Sequence, residues 1–195
     1  MCGFVAYPTG KNPETVIRSI GYRGLENYIG SREWQGFTFA HVSLPFVNLD
    51  PAFAIQPNKF GVPGLFVGEV FNYDTAYASD MEYVHYAFHN HGTDCFHDFD
   101  GFWTYVTMVD DHLFGITDFL GIKPLYYRTD TEAMASEIDV LKLFGKVTID
   151  ETFMSNTMKW GYSPDPRTPY NEIKQVPPGH YVHKGQVYKY WNWDK

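Results

Sequence analysis

Cys2 follows Met1 directly, in the run Met1-Cys2-Gly3-Phe4-Val5. Removal of the initiator methionine would leave that cysteine carrying both a thiol and the α-amine of the chain. The amine titrates at about 7.7 to 8.0 and a thiol at about 8.5, so one residue would hold a nucleophile and, through a bridging water, its own general base near neutral pH. No histidine or aspartate partner is required. A small residue after the start codon is also common and chemically silent, so the reading depends on what surrounds Cys2.

A second constellation is His85, His89, His91 and His97 with Cys95. His85 and His89 stand at i, i+4 helical spacing, a geometry that can ligate one ion. No Cys-x-x-Cys accompanies them, and the segment is amphipathic, so a boundary role is favoured and no metal is expected. The aromatics between Trp34 and Phe46 could stack nucleobases, but the acidic balance of the chain argues for core.

Those residues need elements to position them. Gly3 to Tyr7 is β-prone and is followed by a turn over Pro8 to Lys11. Asn12 as N-cap with Pro13 at the first helical position opens a helix with Val16, Ile17 and Ile20 on its apolar face, stopped by Gly21. Gln35 to Leu44 alternates Phe37, Phe39 and His41 on one face, and Leu65 to Phe71 is a second β-rich run. Ser79-Asp80-Met81-Glu82 has capping-box spacing and leads into a helix with Met81, Val84 and Phe88 on one side, ending at Gly92.

Gly101 to Asp110 and His112 to Asp118 read as a β-hairpin, Leu125 to Arg128 and Ala133 to Ala135 as short strands, and Ser136 to Phe144 as a short helix. Met158 to Gly179, rich in Pro, Gly and Tyr, reads as an ordered surface excursion before a closing pair, Tyr181 to His183 and Val187 to Trp191. Short turns between strands and isolated helices favour two packed sheets flanked by helices over a doubly wound parallel sheet.

Composition bounds the function. With 195 residues, 44% hydrophobic and 18% aromatic, the chain can bury a substantial core as one domain, or at most two small ones. Its 23 acidic against 15 basic residues give a net charge of -8 without a dense basic cluster, which disfavours nucleic acid and anionic membranes as partners. A small-molecule substrate fits better. Two cysteines, Cys2 and Cys95, suit a reducing compartment, and Asn12, Glu14 and Arg18 interrupt any apolar leader, so a cytoplasmic location is expected.

In order along the chain stand Met1-Cys2-Gly3-Phe4, Arg23-Gly24, Ala40-His41, Gln56-Pro57, Gly68-Glu69-Val70-Phe71-Asn72, Ser79-Asp80-Met81-Glu82, the run from Asp118 to Tyr126, Ala135-Ser136-Glu137, and Val176 to Tyr181. With these the sequence resembles the class II glutamine amidotransferase domains, and among them the glutaminase half of asparagine synthetase, over essentially its whole length. The resemblance implies an α+β chain with the N-terminal-nucleophile hydrolase fold, a four-layer αββα sandwich with two antiparallel sheets.

It also implies roles. Cys2 would attack the side-chain amide of glutamine, releasing ammonia and leaving a glutamyl thioester for water to hydrolyse. Gly68 would present its backbone N–H to the developing oxyanion, where a side chain would block close approach. Glu69 and Asp80 would hold the substrate α-amino group, and Arg23-Gly24 would pack beside the nucleophile. Without the resemblance Gly68 reads as a strand irregularity, Glu69 as a solvated charge and Asp80 as a first-turn carboxylate. No cofactor is implied.

Five positions depart from the family pattern. Val67 stands where the Asn that is the second oxyanion donor is usual, a loss worth about 100- to 1000-fold in rate. Val42-Ser43-Leu44 follows Ala40-His41 without the Arg that clamps the substrate carboxylate, Ser43 taking its place. Leu25-Glu26 replaces Pro-Asp, and Thr117 replaces an Arg. Two explanations stay open: residual or altered amidohydrolase activity, with Arg32 as a substitute carboxylate partner, or an impaired binding or regulatory module. No Ser-Gly-Gly-x-Asp pyrophosphatase loop occurs. The expectation is one amidotransferase domain over 1–195 without a synthetase domain, standing alone and supplying ammonia to a separate ATP-dependent synthetase subunit.

Overall fold

The computed structural model describes residues 2–25, 28–44, 55–57 and 61–192. Met1, Glu26, Phe46 and Trp193 lie outside them, as does the side chain of Gln56.

The chain opens with β1 (Gly3–Pro8) and α1 (Pro13–Arg18), where the Asn12 side chain accepts the Thr15 N–H at 3.2 Å and so satisfies one of the otherwise orphaned first-turn donors. β2 (Ile29–Trp34) and β3 (Phe37–Val42) form a hairpin. Its two-residue turn, Gln35-Gly36, holds both residues at positive φ (44° and 80°), the backbone twist that matches twisted strands. Next come β4 (Ile55–Pro57), β5 (Pro63–Val70) and α2 (Asp80–His91). In α2 the Ser79 hydroxyl accepts the Glu82 N–H at 3.1 Å while the Glu82 carboxylate reaches back to Ala78 N–H at 2.8 Å, so the expected reciprocal cap forms one residue offset.

β6 (Gly101–Val109) and β7 (His112–Thr117) form the expected hairpin through Asp110-Asp111. β8 (Tyr126–Arg128), β9 (Met134–Ala135) and α3 (Ile138–Leu141) follow, then α4 (Glu151–Trp160), β10 (Ile173–Gln175), β11 (His180–His183) and β12 (Gln186–Lys189).

Among the described residues the strands make two six-stranded sheets, ordered β10-β8-β9-β1-β3-β2 and β12-β11-β7-β6-β5-β4. Every pairing is antiparallel. The two-residue strand period sorts the core into layers. Phe4, Ala6 and Phe39 from the first sheet meet Leu65, Val106, Leu113 and Val182 from the second. Val5, Tyr7, Ala40 and Val42 turn the other way, onto Val16, Ile17 and Ile20 and onto α3. Phe66, Trp103, Tyr105 and Phe114 turn outward onto Met81, Val84 and Ala87 of α2. The result is the four-layer αββα sandwich, with β1 buried on both faces because each side is covered. Each fully buried Phe or Leu contributes about 1.5 to 3 kcal/mol.

The structure departs from the sequence reading in three places. β2 precedes the expected Gln35 start, because the Gln35-Gly36 dipeptide is the turn rather than the strand. The stretch assigned to an excursion from Met158 begins inside α4 and contributes β10 to the edge of the first sheet, pairing with β8. The helix expected over Ser136 to Phe144 is a single α-turn, 138–141, running into a 3-10 turn. None of the described helices is long and apolar enough to cross a membrane.

Candidate active site at the head of the first strand

Cys2 is half-buried and immediately precedes β1, an interior strand hydrogen-bonded to β3 on one side and β9 on the other. Two segments fix the backbone there. The Ser136 hydroxyl accepts the Phe4 N–H at 3.1 Å, and the Ser136 N–H returns to the Phe4 carbonyl at 3.1 Å. Arg23 pairs with Glu137. A Cβ added at Gly3 would lie 3.0 Å from the Arg23 Cβ, so the side chain after Cys2 is absent where Arg23 crosses. Arg23-Gly24 and Ala135-Ser136-Glu137 therefore converge on the residue after Cys2.

Gly24 in turn packs on the end of β3: the Leu25 N–H donates to the Ser43 carbonyl at 3.0 Å, and a Cβ on Gly24 would stand 2.6 Å from that same oxygen. Ser43, at the position of the missing clamp, has its hydroxyl 2.8 Å from Nδ1 of buried His41. Arg32, the substitute partner the sequence offers, stands along β2 from the level of Cys2. It pairs with Phe39, which pairs with Ala6, three rungs from the Gly3–Val42 level. That is about 10 Å along the strands.

The other group of residues sits on the facing sheet, where β5 packs against β1 and β3. Gly68 has φ 138°, and a Cβ there would come within 2.0 Å of the Phe102 carbonyl oxygen, so only glycine fits. Glu69 is exposed beside it. Asp80, the first residue of α2, closes the group: one carboxylate oxygen accepts the Val70 N–H at 3.2 Å and the other the Met81 N–H at 2.8 Å. Burial pushes the Asp80 carboxyl upward, the two N–H bonds oppose this, and the Glu69 charge adds to the rise. Gly68, Glu69 and Asp80 are thus brought together, and two repelling carboxylates make a favourable place for an ammonium group.

Val67 is half-buried and packs against the inter-sheet apolar cluster. The strand period carries Cys2 onto the same face as Phe4, so Cys2 and Val67 both fall on faces turned to the gap between the sheets. No side-chain donor stands at position 67.

Sequence reasoning noted the run from Asp118 to Tyr126 without giving Asp118 a task. Asp118 is fully buried, and its carboxylate accepts the N–H groups of Trp103 (3.1 Å), Leu120 (2.9 Å), Ile122 (3.2 Å) and Lys123 (3.3 Å). Trp103 is the cross-strand partner of Gly68. The Lys123 carbonyl then accepts the hydroxyls of Thr104 and Thr117, which is what Thr117 does in place of an Arg.

The histidine constellation does not assemble. His85 is buried with Nδ1 bonded to the Tyr105 hydroxyl and Nε2 2.9 Å from the Val62 carbonyl, so both ring nitrogens are engaged; its imidazole pKa is lowered by burial. His89, His91 and His97 are exposed. Cys95 is buried, and burial with Asp94 and Asp98 nearby pushes its thiol up to about 12, which keeps it protonated and unreactive. Among the described residues no three His, Cys, Asp or Glu groups are placed to hold an ion. Of the aromatics from Trp34 onward, Phe39 belongs to the core and Trp34 and Phe37 pack against it.

A family model described as a glutamine amidotransferase domain matches residues 1–191. No curated protein matches the chain. Among solved structures, glutamine phosphoribosylpyrophosphate amidotransferase from B. subtilis, complexed with ADP and GMP, superposes with a TM-score of 0.61 at 12% identity, covering 98% of this chain and 49% of that one. A structure of the allosteric regulatory enzyme of purine biosynthesis superposes at 0.57 and 12%, covering 94% and 46%. At that identity the likeness is one of fold, and this chain spans about half the length of those proteins. Two antiparallel sheets between helices, the fold shared with those structures, agree with the match along the sequence: the chain belongs to the glutamine amidotransferase domain family.

Proposed function

We propose that this domain hydrolyses glutamine to glutamate and ammonia through Cys2, made N-terminal by removal of Met1. The Cys2 thiol loses its proton through a bridging water to the α-amine, and sulfur attacks the carboxamide carbon. The Gly68 N–H donates to the oxyanion that develops. The C–N bond breaks as the proton passes to the leaving nitrogen, giving ammonia and a glutamyl thioester. Water, deprotonated by the same amine, adds to the thioester; the C–S bond breaks, glutamate leaves and the thiol recovers its proton. Glu69 and Asp80 hold the substrate ammonium. The observation that carries this reading is the family match beginning at the first residues, with Cys2 heading a strand that packs against the strand of Gly68.

A second reading has its own support. With Val67 in the apolar cluster and Ser43 occupied by His41, an oxyanion donor and a carboxylate clamp are both lacking, as in a binding or regulatory module that has lost its turnover. Ammonia release from glutamine, measured for the matured protein and for Cys2→Ala, separates the two. Release that depends on Cys2 supports the hydrolase; equal background from both supports the module. We further propose a separate ATP-dependent synthetase subunit as the acceptor of the ammonia.

A further inference from the structure

α4 is held firmly at one end and bare on its outer face. Asp150 caps it by accepting the Phe153 N–H at 2.9 Å, and this buried carboxylate is gripped by Arg167 at 2.8 and 3.1 Å and by Lys174 at 3.5 Å. Yet no residue of the helix is buried. Phe153, Asn156 and Thr157 turn partly inward, whereas Met154 is 39% exposed, Met158 82% and the preceding Ile149 55%. These three form an open groove with Glu151, Ser155 and Lys159. Methionines on a rigid exposed helix make an adaptable apolar surface of the kind that marks an interface.

The charges on this face say what fits it. Glu151, Ser155 and Lys159 follow one another at four-residue spacing, so the acid and the base stand on the same stripe, each about 6 Å from Ser155 and on opposite sides of it. A two-fold axis through Ser155 that sets two α4 helices antiparallel would place Glu151 of each copy against Lys159 of the other. The same operation places Met158 of each copy opposite Thr152 of the other and Met154 opposite Asn156, and the small Ser155 side chains stand where the helices cross closest. The pattern is self-complementary under that one operation and is mismatched in a parallel arrangement, where like charges would face.

We infer that this chain associates with a second copy of itself through an antiparallel α4–α4 contact, with the methionines supplying contact area and the Glu151–Lys159 pairs fixing register. One helix face is smaller than the about 800 Å² per partner of a standard interface, so the dimer is a weak one, with a Kd between about 10 and 300 µM.

Sedimentation equilibrium of the full chain over that concentration range tests it. The 22.5 kDa chain is expected to move toward twice its mass. Glu151→Lys and Lys159→Glu should each weaken association about five- to thirty-fold, and the double reversal should restore it to within about two-fold. Both positions are exposed, and far-UV circular dichroism would verify that each variant keeps its helices. A chain that stays monomeric throughout, a dimer indifferent to the single reversals, or a loss that the double reversal leaves unrepaired would each overturn the inference.

Discussion

The carboxylate of Asp118 accepts the backbone N–H of Trp103 at 3.1 Å. Trp103 faces Gly68 across the β5–β6 pair, and the Phe102 carbonyl beside it occupies the space a Gly68 side chain would need. A loop carboxylate at the end of β7 therefore sets the position of the strand against which the proposed oxyanion donor rests. Asp118→Asn would replace an acceptor of four N–H groups by an amide that turns a donor toward some of them. The expected loss is about 3 kcal/mol or more of stability, read as a Tm lower by about 6 °C or more, with kcat for glutamine falling further than the unfolded fraction explains.

Gly68→Ala tests the close approach itself. The residue would have to keep φ near 138° with its Cβ 2.0 Å from a carbonyl oxygen, so β5 and β6 must separate. We expect destabilisation of about 3 kcal/mol or more in thermal melts and no measurable ammonia release.

Val67→Asn should trade stability for rate. An amide in place of a side chain packed on the inter-sheet cluster costs about 1 to 3 kcal/mol of folding free energy. If it reaches the oxyanion it returns a donor worth about 100-fold or more in kcat. A melt and a steady-state assay on the same preparation give both numbers, and a fall in Tm with unchanged kcat would show that the missing donor is not limiting.

Asp80 gives the site a pH dependence. Burial raises its carboxyl above the ordinary 3.8, so as pH falls it takes up a proton earlier than an exposed aspartate and loses the charge proposed to hold the substrate ammonium. KM for glutamine should therefore rise with acidity with a midpoint above 3.8, while Asp80→Asn should show a KM at least about ten-fold higher that is flat through that window. In stability the sign is opposite. A carboxyl raised in the folded state binds its proton more tightly there, so its ionisation costs stability at neutral pH and that cost is relieved as pH falls.

His85 works the other way. Burial lowers its imidazole pKa below 6.5, so below that pH the unfolded chain takes up a proton that the folded chain refuses, and stability falls as pH decreases through this window. His85→Gln removes the contribution along with the bonds to Tyr105 and Val62. Urea melts should show the variant weaker by about 1 to 3 kcal/mol at pH 7.5, with the gap to wild type narrowing toward pH 5.

Much of the scaffold was readable because local signals and tertiary contacts agree. Asn12-Pro13 and Ser79 cap the helices they announce, and the Asp110-Asp111 turn joins the hairpin its flanks suggest. β2 escaped because Ile29 to Trp34 alternates between half-buried and exposed positions without a clear apolar face, and its pairing is set by a turn rather than by its own side chains. α4 escaped because the side chains it turns inward, Phe153, Asn156 and Thr157, are mostly polar and none is fully buried. At the candidate site, Cys2, Gly68, Glu69 and Asp80 came from ordered motifs. Composition offered Arg32, but only register says which rung of β2 it occupies. Asp118 was passed over because its partners are backbone N–H groups, which every sequence possesses.

The proposal that Cys2 is the working nucleophile is met most directly by intact-protein and peptide mass spectrometry after exposure to 6-diazo-5-oxo-norleucine, a glutamine-like electrophile. The expected result is a chain lacking Met1 that carries one adduct, on Cys2, formed in step with loss of ammonia release and absent from Cys2→Ala. A chain properly trimmed at Met1 that remains unlabelled at Cys2 while the fold is intact would contradict it.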